Sequence, residues 1–296
     1  MPTRRRVTTA IAASLFGAGL SRPQPARAFA SSLESDIAAI EARVGGRLGV
    51  AVLDTASGAR ADHRGNERFP LCSTFKVLAV AAVLKRADAG RDHLDRRFAI
   101  RRADLTPYSP VLKDRIGDSM SLAELCAAAM TDSDNTAADL VLKYLGGPAA
   151  VTAYAHTIGD TVTHLDNSEP LLNHAKPFGV AKSDTTSPTA MANDLQALVL
   201  GEALAPASRD QLKAWLLGCK TGDKRLRAGL PDGWQCGDKT GSDDKDGSTN
   251  DVGILWPPQQ RSPVLVAAYL TQTKAKYEDR EAALADVARA VVTALG

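Results

Sequence analysis

The spacing of apolar positions changes character along the chain. "SSLESDIAAIEARVGG" (31–46) repeats apolar residues at helical spacing and stops at paired glycines. "RLGVAVLDT" (47–55) is β-like and runs into the turn "SGA" (57–59). From about 73 to 218 helical signals dominate. "STFKVLAVAAVLKRADAG" predicts one helix; its segment "VLAVAAVL" (77–84), flanked by Lys76 and Lys85, is far shorter than the ~20 residues of a membrane span and predicts a buried core helix. "SLAELCAAAM" opens on a capping box, Ser121 with Glu124. "NTAADLVLKYLGG" ends in paired glycines, and Pro148 can start the next helix. "SPTAMANDLQALVLGEAL" starts at Ser187-Pro188, and "SRDQLKAWLLG" places Ser208 and Gln211 at capping-box spacing. Strand patterns return in "WQCGDKTGS", "NDVGILWP" and "SPVLVAAYLT", followed by the amphipathic helix "EDREAALADVARAVVTALG".

This order predicts an α/β protein of the α+β type. An antiparallel sheet, flanked by the N- and C-terminal helices, is built from about 31–70 and 220–296, and an all-helical half, about 71–219, is inserted between them. The seam between the halves is a natural cleft.

Residues 1–30 stand apart. Arg4, Arg5 and Arg6 precede a mildly apolar segment and Ala26-Arg27-Ala28, the pattern of an export signal, and the adjacent arginines suggest the twin-arginine route to the periplasm. Cleavage after Ala28 or Ala30 would remove five arginines and no acid, turning a formal net charge of +2 into −3. No nucleic-acid footprint and no membrane anchor is then expected of the mature chain. Cys72, Cys126, Cys219 and Cys236 match no small disulfide scaffold, and the five histidines form no metal-binding spacing. Neither a metal nor an organic cofactor is indicated.

Three motifs carry chemistry. Ser73-Thr74-Phe75-Lys76 puts a hydroxyl and an amine one helical turn apart, and a serine needs a nearby base to become a nucleophile. Ser133-Asp134-Asn135 stands just before a helix, where it could be a simple cap or could supply a second hydroxyl and an amide. Lys239-Thr240-Gly241 lies on a strand, offering a cation, a hydroxyl and a position where another group approaches the backbone closely.

Together with "EPLLN", "DTTSPTAMANDL", "RAGLPDGW" and "GDKTGS", these motifs resemble those of the class A serine β-lactamases over the whole of 31–296. The resemblance implies a monomeric hydrolase acting on small β-lactams. Ser73 would be the acylated nucleophile, and Lys76 and Ser133 would move its proton. The backbone N–H groups of Ser73 and Ser242 would form the oxyanion hole. Asn135 would hold the substrate's side-chain amide; Lys239, Thr240, Gly241 and Ser242 would bind its carboxylate; Tyr108 would wall the cleft mouth. Glu169 and Asn173, on the omega loop, would hold and deprotonate the water that releases the acyl group. A DD-peptidase, or a β-lactam sensor that acylates without turnover, is the alternative on the same nucleophilic set.

The chain departs from that family at several positions. A carboxylate-binding arginine usual on the strand after K-T-G is replaced by Thr249, and Arg225 matches an alternative supplied from the helical side. That role predicts that Arg225→Ala weakens binding and leaves the fold intact. Cys72 and Cys126 face Asp243 and Val80 where relatives place bridging partners, so four free thiols are expected. Asn167 replaces the omega-loop arginine that pairs with Asp184. Lys182, a water network, or a hydrogen bond from Asn167 itself must compensate, and the longer span to Asp184 predicts a mobile loop over 165–185.

Overall fold

The computed structural model describes residues 25–169, 171–174 and 183–296. The helices are α1 (Pro25–Val44), α2 (Phe75–Asp88), α3 (Leu122–Thr131), α4 (Asn135–Leu145), α5 (Pro148–Thr157), α6 (Pro188–Leu195), α7 (Pro206–Leu217) and α8 (Tyr277–Leu295). The strands are β1 (Arg47–Asp54), β2 (Arg60–His63), β3 (Phe69–Pro70), β4 (Arg97–Ala99), β5 (Ser119–Ser121), β6 (Thr185–Thr186), β7 (Gln235–Asp243), β8 (Ser248–Trp256) and β9 (Val264–Thr271).

Five strands form one antiparallel sheet in the order β2-β1-β9-β8-β7. Period-two alternation divides its side chains between two cores. Leu48, Val50 and Val52 of β1, with Val264, Val266, Ala268 and Leu270 of β9, pack with Leu33, Ile37, Leu284 and Val287 of the terminal helices. Leu265, Ala267 and Tyr269 point the other way, into the core shared with the helical half. The expected layering of terminal helices, sheet and helical half is what the chain adopts.

At the centre of the helical half is α2, in which every residue from Phe75 to Leu84 is buried. A helix apolar on all sides belongs inside a protein rather than on its surface. Lys76 is the charged exception in that run, which makes its environment the first question about the site.

Local signals succeeded where capping chemistry was unambiguous. Ser121 and Glu124 form both bonds of the capping box, and Gly146 closes α4 in the left-handed region at φ 105°. They failed at Ser208: α7 starts with Pro206 in its first turn, and Ser208 lies inside the helix, donating to Asp88 Oδ1 at 2.6 Å. The helix read from Ser187 onward is α only to Leu195 and continues as a π-helical turn, Gln196–Leu200. At the other end, α1 begins at Pro25, upstream of the helix start read at 31.

Asp134 ties two segments together. One carboxylate oxygen caps α4 through the Ala137 N–H (2.9 Å), and the other accepts the N–H groups of Val111 and Leu112 (2.9 and 3.0 Å). Asp134→Ala leaves three donors without a partner in a buried place. It should lower unfolding free energy by about 3 kcal/mol, measured by urea denaturation; a loss under ~0.5 kcal/mol would show that the carboxylate is not what joins these segments.

Candidate active site

A cleft of about 480 Å³ opens at the seam between sheet and helical half, lined by Ser73, Ser133, Asn135, Glu169, Thr240 and Ser242 among others. Ser73 reaches it from a 3₁₀ turn, Cys72–Thr74, that leads into α2. Ser133 comes from the loop before α4, Glu169 from the loop after α5, and Thr240 and Ser242 from β7, the edge strand of the sheet. Tyr108 also lines the cleft and is largely exposed.

The backbone is strained where these pieces meet. Cys72, Tyr108, Ser133 and Asp184 all have left-handed φ values, between 44° and 60°, without being glycine. Such conformations cost of order 1–3 kcal/mol each and persist only where surrounding contacts fix them. Gly241 has the opposite purpose: a Cβ there would come within 2.9 Å of Cys72 Cβ and 3.1 Å of Ser73 N. The neighbour that needs its bare backbone is therefore the chain's own Cys72–Thr74 turn.

Two buried ammonium groups converge on Ser133. Lys76 Nζ donates to Ser133 O (2.8 Å) and Asn135 Oδ1 (2.7 Å) and lies 3.4 Å from Ser133 Oγ. Lys239 Nζ donates to Ser133 Oγ (2.9 Å) and Thr240 O (2.8 Å). Burial and then the charge of Lys239 push Lys76 down to about 7, against the pull of Glu169, Asp134 and Asp139. Burial likewise pushes Lys239 down to about 8. Asp134 caps α4, as a structural reading of Ser133-Asp134-Asn135 requires, while its two neighbours turn toward the lysines.

Glu169 is buried, and burial pushes its carboxyl up while Lys76 and Lys239 pull it back. Its backbone N–H donates to Asp139 Oδ1 at 3.0 Å. Sequence reasoning missed Asp139. The available signal was its place four residues after Asn135, on the same face of α4. Asn173 lies in a 3₁₀ turn, Leu171–His174, and its side chain is outside the described residues.

The omega-loop question has a specific answer. Asn167 Nδ2 donates to Asp184 Oδ2 at 2.6 Å. The backbone N–H groups of Asp166 and Asn167 donate to Asp184 Oδ1 (2.9 and 3.0 Å), and Ser183 Oγ to Oδ2 (2.9 Å). Four neutral donors thus stand where an arginine was expected. Lys182 and the middle of the span assigned loop mobility, residues 175–182, lie outside the described residues.

Arg225 differs from its expected setting. It is buried, with Nη1 donating to Gly241 O (3.1 Å) and Asn250 O (2.7 Å), and Nη2 to Ser242 Oγ and Tyr277 OH (both 2.7 Å). Glu281 Oε1 lies 3.5 Å from Nε. Removing this side chain would leave carbonyls of β7 and β8 without its donors, so Arg225→Ala is expected to cost stability as well as binding. Thr249 pairs with Ser242 across the strands and is buried. Tyr277, which holds the far side of Arg225, was not anticipated. The four cysteines are free and buried, and burial raises all their thiol pKa values.

The family model described as the β-lactamase enzyme family matches residues 32–295. A β-lactamase of Citrobacter koseri is 45% identical over 294 residues, covering 99% of each chain. β-Lactamase CTX-M-8 of Citrobacter amalonaticus is 44% identical over 285 residues, 96% of this chain and 95% of that one. The solved class A β-lactamase of the last common ancestor of Gram-negative bacteria superposes with a TM-score of 0.86 at 56% identity, covering 90% of this chain and all of the other. The chain belongs to the class A serine β-lactamase family. Its Ser73 and Ser133 line one cleft, and Lys239 reaches it through Ser133 Oγ.

Burial raises the Asp139 carboxyl to about 7. Its folded pKa therefore exceeds its unfolded one, so the folded chain holds the extra proton, and this group's contribution to stability falls as pH rises from about 4 to about 7. Asp139→Asn keeps an oxygen for the Glu169 N–H and has no charge to bury. Relative to wild type it should gain about 1–3 kcal/mol between about pH 4.5 and about pH 8, read by urea unfolding; the same difference at both pH values would contradict this.

Proposed function

We propose that this β-lactamase opens the β-lactam amide of penicillins and cephalosporins through an acyl-enzyme on Ser73, and so confers β-lactam resistance. The observation that carries the proposal is Ser133 Oγ held between Lys76 and Lys239 in the cleft that Ser73 and Glu169 share. Ser73 Oγ attacks the lactam carbonyl as its proton passes to Lys76, which is partly neutral around its pKa of about 7. The oxyanion forms against the backbone N–H groups of Ser73 and Ser242. Ser133 Oγ passes a proton from Lys76 to the departing nitrogen, and the lactam C–N bond breaks.

Lys239, Thr240 and Ser242 receive the substrate carboxylate, while Gly241 lets β7 pack closely against the Cys72–Thr74 turn. Arg225 acts from beneath by orienting Ser242 Oγ and adding positive charge. Asn135 fixes the acyl amide, and Tyr108 covers the mouth. Glu169, with Asn173, then takes a proton from water, and the resulting hydroxide cleaves the Ser73 ester.

A DD-peptidase or a sensor needs no carboxylate opposite its acyl-serine. The buried, backbone-anchored Glu169 favours turnover over trapping. The Arg4–Arg6 run and Ala26-Arg27-Ala28 support export by the twin-arginine route, leaving 31–296 as one catalytic domain. Residues 1–24 lie outside the described residues, and among those described no helix is long and apolar enough to cross a membrane.

With a chromogenic cephalosporin, Glu169→Gln should release one equivalent of product per enzyme and then stall, with steady-state turnover reduced about 10²–10⁴-fold. Full steady-state turnover in that variant would remove Glu169 from deacylation.

A further inference from the structure

β7 divides the cleft into two sides. Thr240 and Ser242 alternate with Lys239, Gly241 and Asp243 along the strand. The first pair meets Thr221 and Arg225: Thr240 Oγ1 lies 2.5 Å from Thr221 Oγ1, and Ser242 Oγ accepts from Arg225. The second set faces the nucleophile turn, as the close approach of Gly241 to Cys72 and Ser73 shows. Asp243 lines the cleft on that side, where its charge raises the pKa of both Cys72 and Glu169.

A β-lactam with its carboxylate on Thr240, Ser242 and the Arg225 side must send its acyl chain the other way, into the space between Asp243 and Glu169. Asp243 and Glu169 line that space as carboxylates, with Lys245 beside Asp243 as the nearest cation on the same strand end. Asp243 is half-buried, and its Oδ1 accepts the backbone N–H of Lys245 (3.1 Å). Asp244 is exposed and paired with Arg280 (2.8 Å), so it does not take the same part. Lys76 and Lys239 are committed to Ser133 and the carbonyls beside it.

We propose that Asp243 makes the acyl side of the cleft an ammonium-selecting subsite, favouring β-lactams that carry a positive charge on the carbon next to the acyl amide. This deepens the β-lactamase reading and rests on it. An ammonium placed there gains attraction from Asp243 and eases the repulsion between Asp243 and Glu169. A carboxylate at the same carbon meets two like charges instead, in a site partly shielded from water.

The test compares kcat/KM for three penicillins with the same phenyl acyl framework: ampicillin, with an α-ammonium; benzylpenicillin, uncharged there; and carbenicillin, with an α-carboxylate. The pH is kept low enough to hold the amine protonated. Wild type should prefer them in that order, and Asp243→Asn should reduce the ampicillin-to-carbenicillin ratio about tenfold. Asp243→Ser provides a second variant, and ratios taken within one preparation cancel any difference in folded fraction. An unchanged ratio in both variants, with benzylpenicillin still hydrolysed, overturns the subsite alone. Failure of the wild type to hydrolyse any of the three overturns the hydrolase reading and the subsite with it.

Discussion

Two ammonium groups buried against one hydroxyl set the terms for the rest of this structure. Lys76 and Lys239 are both fully buried, and both turn to Ser133. Burial disfavours the charged form of both lysines, and a neighbouring cation lowers each further, Lys239 acting on Lys76 and Arg225 on Lys239, so both sit below their ordinary pKa. The surroundings offset this only in part. Ser133 O, Asn135 Oδ1 and Thr240 O receive the N–H donors, while Glu169, Asp134 and Asp139 supply negative charge around Lys76. A site with enough carboxylates to keep Lys76 fully charged would leave it unable to take a proton from serine.

The scaffold exists to hold that balance. Lys76 is carried on a helix otherwise buried in apolar contacts, so its amine has nowhere to go but the seam. Lys239 arrives on an edge strand, one face of which packs against the Cys72–Thr74 turn. Arg225 braces the same strand from below through carbonyls on both β7 and β8, which places a third cation beneath the cleft without exposing it to water. Across the cleft, Asp139 anchors the backbone of Glu169, and Asp184 gathers the loop's root through four donors.

The layout and the motifs were legible because they depend on local rules. The strand character of "RLGVAVLDT" and "SPVLVAAYLT", the Ser121–Glu124 box and the glycine after α4 read directly into structure. The convergence of Ser73, Ser133 and Lys239 was legible through family resemblance and not through spacing, since the three lie far apart in sequence. What stayed hidden depends on tertiary neighbours. Ser208 had capping-box spacing, but a proline two residues earlier starts the helix and Asp88 claims its hydroxyl. Arg225 carried the right charge for a substrate site, yet only the packing of β7, β8 and α8 reveals that it is buried. Asn167 was open among three compensations; the geometry of Asp184 selects its direct hydrogen bond among the described residues.

The most direct test of this account is the ionisation of Lys76 itself. Lysine Cε resonances can be followed by ¹³C NMR across a pH titration, with Lys76 assigned from the signal lost in Lys76→Arg. The account predicts a midpoint near about 7, well below that of the exposed lysines. A midpoint close to ~10.4, the value of a lysine in water, would contradict it, because the paired burial of Lys76 and Lys239 would then not be what prepares Lys76 to accept the serine proton.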